Sequence, residues 1–127
     1  MEYYNNKVVK TDIEKATELI KIELLKEGFG IVTQFDVNKA LKEKMDVDFR
    51  PYRILGACNP PFALKSINVE DKIGTFLPCN VMLQEFDGKT EIAIINPVAM
   101  MQSVENEEMK EIAKEIAEKL NRALSKI

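Results

Sequence analysis

Val81-Met82-Leu83-Gln84-Glu85-Phe86-Asp87-Gly88-Lys89-Thr90-Glu91-Ile92-Ala93-Ile94-Ile95 is the stretch that decides the fold. Asp87-Gly88 suits the positive φ angles of a tight hairpin turn. Val81 to Phe86 and Thr90 to Ile95 read as the two strands it joins, and Asn96-Pro97 ends the second. Downstream, a segment beginning near Ser103 carries Met109, Ile112, Ala113, Ile116, Ala117, Leu120, Leu124 and Ile127. Those steps of three and four define a long amphipathic helix. Glu105, Glu107 and Glu108 open it and Arg122 and Lys126 close it, as the helix dipole prefers.

Upstream, residues 2–9 end in Val8-Val9 and form a first strand. Thr11-Asp12-Ile13-Glu14 fits a capping box, with the Thr11 hydroxyl on the Glu14 amide. Ile13, Ala16, Ile20 and Leu24 follow at helical spacing, and Gly28 stops that helix, giving it residues 12–27. Ile31, Thr33 and Phe35 alternate with Val32, Gln34 and Asp36, the period of a half-buried strand. A short helix from Val37 to Met45 is broken at Phe49-Arg50-Pro51, and Tyr52 to Ala57 forms a third strand. Asn59 then suits an N-cap and Pro60 a first helical residue, for a short helix over 60–67.

The order is β-α-β-α-β-α-β-β-α. Each long helix has one apolar stripe to bury, so the expected fold is α+β. It is a single two-layer domain over residues 1–127, a mixed or antiparallel sheet with two long helices packed on one face. No repeat, low-complexity tract or linker interrupts it.

Composition narrows the function. Eighteen basic against 21 acidic residues leave a net charge of -3. With no basic excess to neutralise phosphates, nucleic acid is not an expected partner, and an anionic membrane surface is disfavoured too. No apolar run approaches the ~20 residues of a membrane span. Met1-Glu2-Tyr3-Tyr4-Asn5-Asn6-Lys7 lacks a charged start followed by an apolar stretch, so no signal peptide is expected. The expected location is cytoplasmic, where thiols stay mostly reduced.

Two cysteines concentrate the chemistry, in Gly56-Ala57-Cys58-Asn59-Pro60-Pro61 and Leu77-Pro78-Cys79-Asn80-Val81; there is no histidine and no tryptophan. Cys58 falls just before a helix N-terminus, where amides lower a thiol pKa. The same segment also suits a tight turn in which a small apolar residue packs. Cys79 shares parity with Val81 and Leu83, which points it into the apolar face. Asn80, flanked by apolar neighbours, must be satisfied or exposed. If the third and fourth strands are parallel, the cysteines lie a strand length apart; if they are antiparallel neighbours, the two ends converge. Cys-His catalysis is excluded without histidine. Two sulfurs alone do not make a zinc site, so no metal is assigned. No cofactor is assigned either, and Gly28-Phe29-Gly30 is a helix stop entering a strand rather than a phosphate loop.

Glu27 to Thr33, Asp36-Val37, Leu41 to Lys44, Pro51 to Pro60, Ile73-Gly74 and Leu77 to Val81 together resemble the pattern of the domain of unknown function 302 family. The resemblance covers essentially the whole chain. It departs at Gln34-Phe35, where Glu-Ile is expected. It implies a small α+β domain of bacteria or archaea, self-associating as a homodimer, and it carries no established reaction.

Three functional readings stand side by side. In the leading one, a ligand-binding or sensor domain holds a small molecule near Cys58, Asn59, Cys79 and Asn80, with Arg53 and Tyr52 as rim donors. In the second, a thiol-dependent redox protein or enzyme uses Cys58 to attack and Cys79 to resolve, which requires Cα atoms below ~7 Å. In the third, both cysteines are packing and the domain acts through oligomer contacts.

Overall fold

Asp87 and Gly88 adopt φ of 51° and 72° in the computed structural model, which describes residues 1–127. Both central residues of the turn are therefore left-handed, and β4 (Cys79–Phe86) folds back on β5 (Lys89–Ile95) with Phe86 opposite Lys89. Before the hairpin come β1 (Tyr4–Val9), α1 (Ile13–Lys26), β2 (Gly30–Asp36), α2 (Val37–Met45), β3 (Tyr52–Cys58) and α3 (Pro60–Val69). A 3-10 segment, Asp71–Phe76, links α3 to β4. After the hairpin, the single turn α4 (Pro97–Met100) leads through Met101–Ser103 to α5 (Glu107–Ser125).

The five strands lie in the order β1-β5-β4-β3-β2, and every neighbouring pair is antiparallel. The sheet is thus the antiparallel form of the two expected. Alternation along it sends Leu55 and Ala57, Val81 and Leu83, and Ile92 and Ile94 to one face. There they meet the stripes of the two long helices: Ile13, Ala16, Ile20 and Leu24 from α1, and Ile116, Leu120, Ala123 and Leu124 from α5. Each fully buried Leu or Ile contributes roughly 1.5–3 kcal/mol, so this layer supplies most of the hydrophobic stabilisation. A smaller cluster of Ile73, Met101, Met109 and Ala113 seats the 3-10 segment and α4 against the first turns of α5.

Four local expectations change. The α1 cap is Asp12, whose side chain accepts from the Lys15 amide. Thr11 instead offers its carbonyl to the Thr90 hydroxyl, and Glu14 turns to Arg53, so no Thr11–Glu14 box forms. In β2 the pairing shifts between Ile31 and Thr33. Such a bulge reverses parity. Ile31 pairs with Ala57 and packs against the core, whereas Thr33 and Phe35 pair with Gly56 and Ile54 on the opposite face. At α3, Asn59 holds the N-cap position without a side-chain capping bond, and the helix continues to Val69. Finally, α5 starts at Glu107 rather than near Ser103. Asn106 both accepts from the Met109 amide and donates to the Val69 carbonyl, tying the start of α5 to the end of α3.

Candidate functional site

Strands β3 and β4 are antiparallel neighbours, and Ala57 lies opposite Cys79. Cys58 is one residue beyond that pair, so the two cysteines occupy adjacent positions at one end of the sheet. Both are free thiols. They differ in surroundings, however. Cys79 points with Val81 into the helix layer, is 8% exposed, and has its thiol pKa pushed up to about 11 by burial, with Cys58 adding to the shift. Cys58 follows the opposite parity at the strand end and is half-buried.

The other named residues divide between the faces. Arg53 is 5% exposed on the helix side. Its guanidinium donates to Asp36 at 2.7 Å, to the Thr17 hydroxyl at 3.0 Å and to Glu14 at 2.6 Å. Burial pushes the Asp36 carboxyl up, but hydrogen bonds from Arg53 and Gln34 and the charges of Arg53 and Lys39 outweigh it, leaving that pKa lowered. Arg53 therefore ties α1 to the sheet. Asn59 is buried too, and its amide donates to the Glu27 carbonyl at the end of α1. A Cβ at Gly28, whose φ is 90°, would sit 2.9 Å from that amide nitrogen. This asparagine locks the β3–α3 turn to the α1–β2 turn.

Tyr52 and Asn80 lie on the face that no long helix covers. There they border a concavity of about 380 Å³. Met82, Ala93 and Ile95 form its apolar floor, while Tyr3, Tyr4 and Tyr52 stand around it. These are all three tyrosines of the chain. Asn80, Gln84 and Glu91 supply its polar groups. Asn80 also borders a second hollow of about 200 Å³ beside Phe76 and Pro78. The polar groups are linked across the strands. Glu91 accepts from Gln84 at 2.7 Å and from Asn6 at 2.8 Å. Gln84 in turn accepts from Arg50, whose guanidinium lies 4.3 Å from the Phe49 ring centroid and 5.9 Å from that of Tyr52.

The six residues singled out from sequence therefore do not form one site. Tyr52 and Asn80 share the open-face concavity; Arg53, Asn59 and Cys79 are internal, and half-buried Cys58 lies at the end of β3, off the concavity. Tyr3, Tyr4, Gln84 and Glu91 were not singled out. One signal for part of the set was present: Asn80, Met82 and Gln84 share a parity opposite to Val81 and Leu83, which marks a common outward face. No three His, Cys, Asp or Glu side chains converge in a metal-binding arrangement, and no helix is long and apolar enough to cross a membrane.

No curated protein matches the chain. Among solved structures, it is similar to the uncharacterized conserved protein DUF302 from Bacillus stearothermophilus. The TM-score is 0.91 at 32% sequence identity, and the match covers 98% of each chain. The sequence model of the family described as domain of unknown function DUF302 matches residues 5–127. With that match running from the first strand to the last residue, and a fold neighbour of the same family, the chain belongs to the domain of unknown function DUF302 family.

Proposed function

We propose that the chain is a small-molecule binding domain, non-enzymatic, whose site is the open-face concavity beside Asn80. One observation carries this reading: an apolar floor of Met82, Ala93 and Ile95 is ringed by tyrosines, with amide and carboxylate groups converging on it. Sites for small ligands have this composition and a size of ~300–1,000 Å³. The thiol-redox reading has weaker support. Cys79 is buried, and its raised pKa suppresses the thiolate that would have to resolve a disulfide. The sharing of one sheet by all five strands supports treating residues 1–127 as one domain.

Protein-observed NMR with a library of small polar and aromatic fragments tests the site. The expected result is that binders shift the amide resonances of Tyr52, Asn80, Met82 and Ala93 while leaving Arg53 and Asn59 in place. Shifts confined to the surroundings of Cys58 and Asn59 overturn it.

A second observation favours self-association at the other edge of the sheet. Strand β2 is unpaired on its outer side, and Val32, Phe35, Met45, Val47 and Phe49 are exposed around it. Lys42 of α2 pairs with Asp46 at 2.9 Å and with Asp48 at 3.1 Å, so the charges beside this apolar patch are neutralised within the chain. A second copy related by a two-fold axis would pair the free edge of β2 and cover these apolar side chains. Sedimentation should show a dimer that Phe35→Glu dissociates; a monomer at high micromolar concentration overturns this reading.

A further inference from the structure

The charge inside the concavity points to a class of ligand. Glu91 is the only carboxylate among the residues that line it, and no lysine or arginine lines it. Arg50, the nearby base, is held through Nε by Gln84 and stacked over the Phe49 and Tyr52 rings. The space is thus lined by one carboxylate and three electron-rich rings, Tyr3 and Tyr4 packed edge to face and Tyr52 with Arg50 over its ring. A ring face attracts a cation within ≈ 6 Å of its centroid, and aromatic surroundings of this kind suit quaternary ammonium groups.

Glu91 is also positioned in a particular way. Gln84 donates to one of its oxygens at 2.7 Å and Asn6 to the other at 2.8 Å. The carboxylate is thus oriented and already hydrogen-bonded by the protein. It offers charge without requiring a donor from the ligand. A primary ammonium would bring three N–H groups needing acceptors. A quaternary or methylated ammonium brings charge and methyl groups, and the Met82, Ala93 and Ile95 floor accommodates methyls.

We propose that the concavity binds a quaternary or methylated ammonium group, held by the Glu91 charge and the rings of Tyr3, Tyr4 and Tyr52. This rests on the reading of the concavity as the ligand site. Because those are the only tyrosines and the chain has no tryptophan, intrinsic fluorescence reports this site alone.

The test titrates the full chain with choline and with 3,3-dimethylbutan-1-ol, its uncharged carbon isostere, following tyrosine emission and amide NMR shifts. Choline should saturate at a concentration at least tenfold lower than the alcohol. Glu91→Gln, which retains the size of the side chain, should bring choline to the affinity of the alcohol. Tyr52→Leu should weaken choline and leave Tyr3 and Tyr4 reporting. If the alcohol binds as well as choline, or Glu91→Gln leaves choline unaffected, the ammonium assignment fails while the concavity stands as a ligand site. If neither compound perturbs the tyrosines and fragments shift only residues elsewhere, both the assignment and the site fail.

Discussion

A thiol reagent added to the folded protein at pH 8 should modify Cys58 and leave Cys79 nearly untouched. Burial raises the Cys79 pKa from 9.0 to about 11. Two units reduce the thiolate population about 100-fold, to roughly one molecule in a thousand at pH 8, and only the thiolate reacts. The shift also couples to stability. Below pH 9 both the folded and the unfolded chain hold the proton. Between pH 9 and 11 the unfolded chain releases it and the folded chain does not. The contribution of Cys79 is therefore full below pH 9 and is lost as pH rises through 11. At about 1.4 kcal/mol per unit, it amounts to about 3 kcal/mol. Iodoacetamide labelling followed by peptide mass spectrometry measures the first effect. Urea unfolding at pH 8, 9, 10 and 11, in the wild type and in Cys79→Ala, measures the second, because tyrosine and lysine titration is common to both proteins. The gap between them should shrink by about 2 kcal/mol across that range, since at pH 11 the folded thiol is only half ionised. Equal labelling of the two cysteines in the folded state, or parallel pH curves, refutes the reasoning.

Gly56→Ala should destabilise by about 1–3 kcal/mol, since the new Cβ would overlap Thr33 Oγ1 and sit 2.6 Å from Pro78 Cγ. Adding Thr33→Ala should recover part of that loss in urea melts, and no recovery contradicts the assigned clash. Arg53→Ala should cost about 1–3 kcal/mol at pH 7, because half-buried Asp36 loses its guanidinium and keeps only Gln34 and Lys39. Because the Asp36 pKa is lowered on folding, its stabilisation is present above the ordinary value of 3.8 and is lost as pH falls through the folded one. The gap between wild type and Arg53→Ala should accordingly narrow below pH 4, and a gap constant down to pH 2 argues against the ion pair. Asn59→Ala removes the bond to the Glu27 carbonyl and should cost about 1 kcal/mol in the same assay. Cys58→Ser, off the concavity, should leave choline binding within about twofold of wild type; its loss would return the site to the thiol.

Much of the architecture is local and was legible in the chain. The Asp87-Gly88 turn, the Gly28 stop and the three-and-four spacing of α5 depend on φ preferences and on one helix face, which neighbouring residues set among themselves. The inward parity of Cys79 with Val81 and Leu83 belongs to the same class. The site was legible only in part, because a concavity across β1, β5, β4 and β3 draws on residues far apart in the chain. Asn6 and Glu91 meet only because β1 pairs with β5, and Gln84 meets Tyr52 only because β3 pairs with β4. Neither pairing leaves a signature in the spacing of the residues involved. Arg53 shows the same limit: beside Tyr52 in sequence, it faces the other side of the sheet, where partners from α1 and β2 neutralise it. The β2 bulge reversed a parity that alternation alone could not question. By itself the sequence determined the main elements, the Gly28 stop and which stripes seek burial, because those follow from short-range sterics and hydrophobic period; the caps were decided by competing partners, with Asp12 taking the place expected of Thr11. Strand order decided the rest, since pairing distant strands is what puts an acid, three rings and an apolar floor around one space.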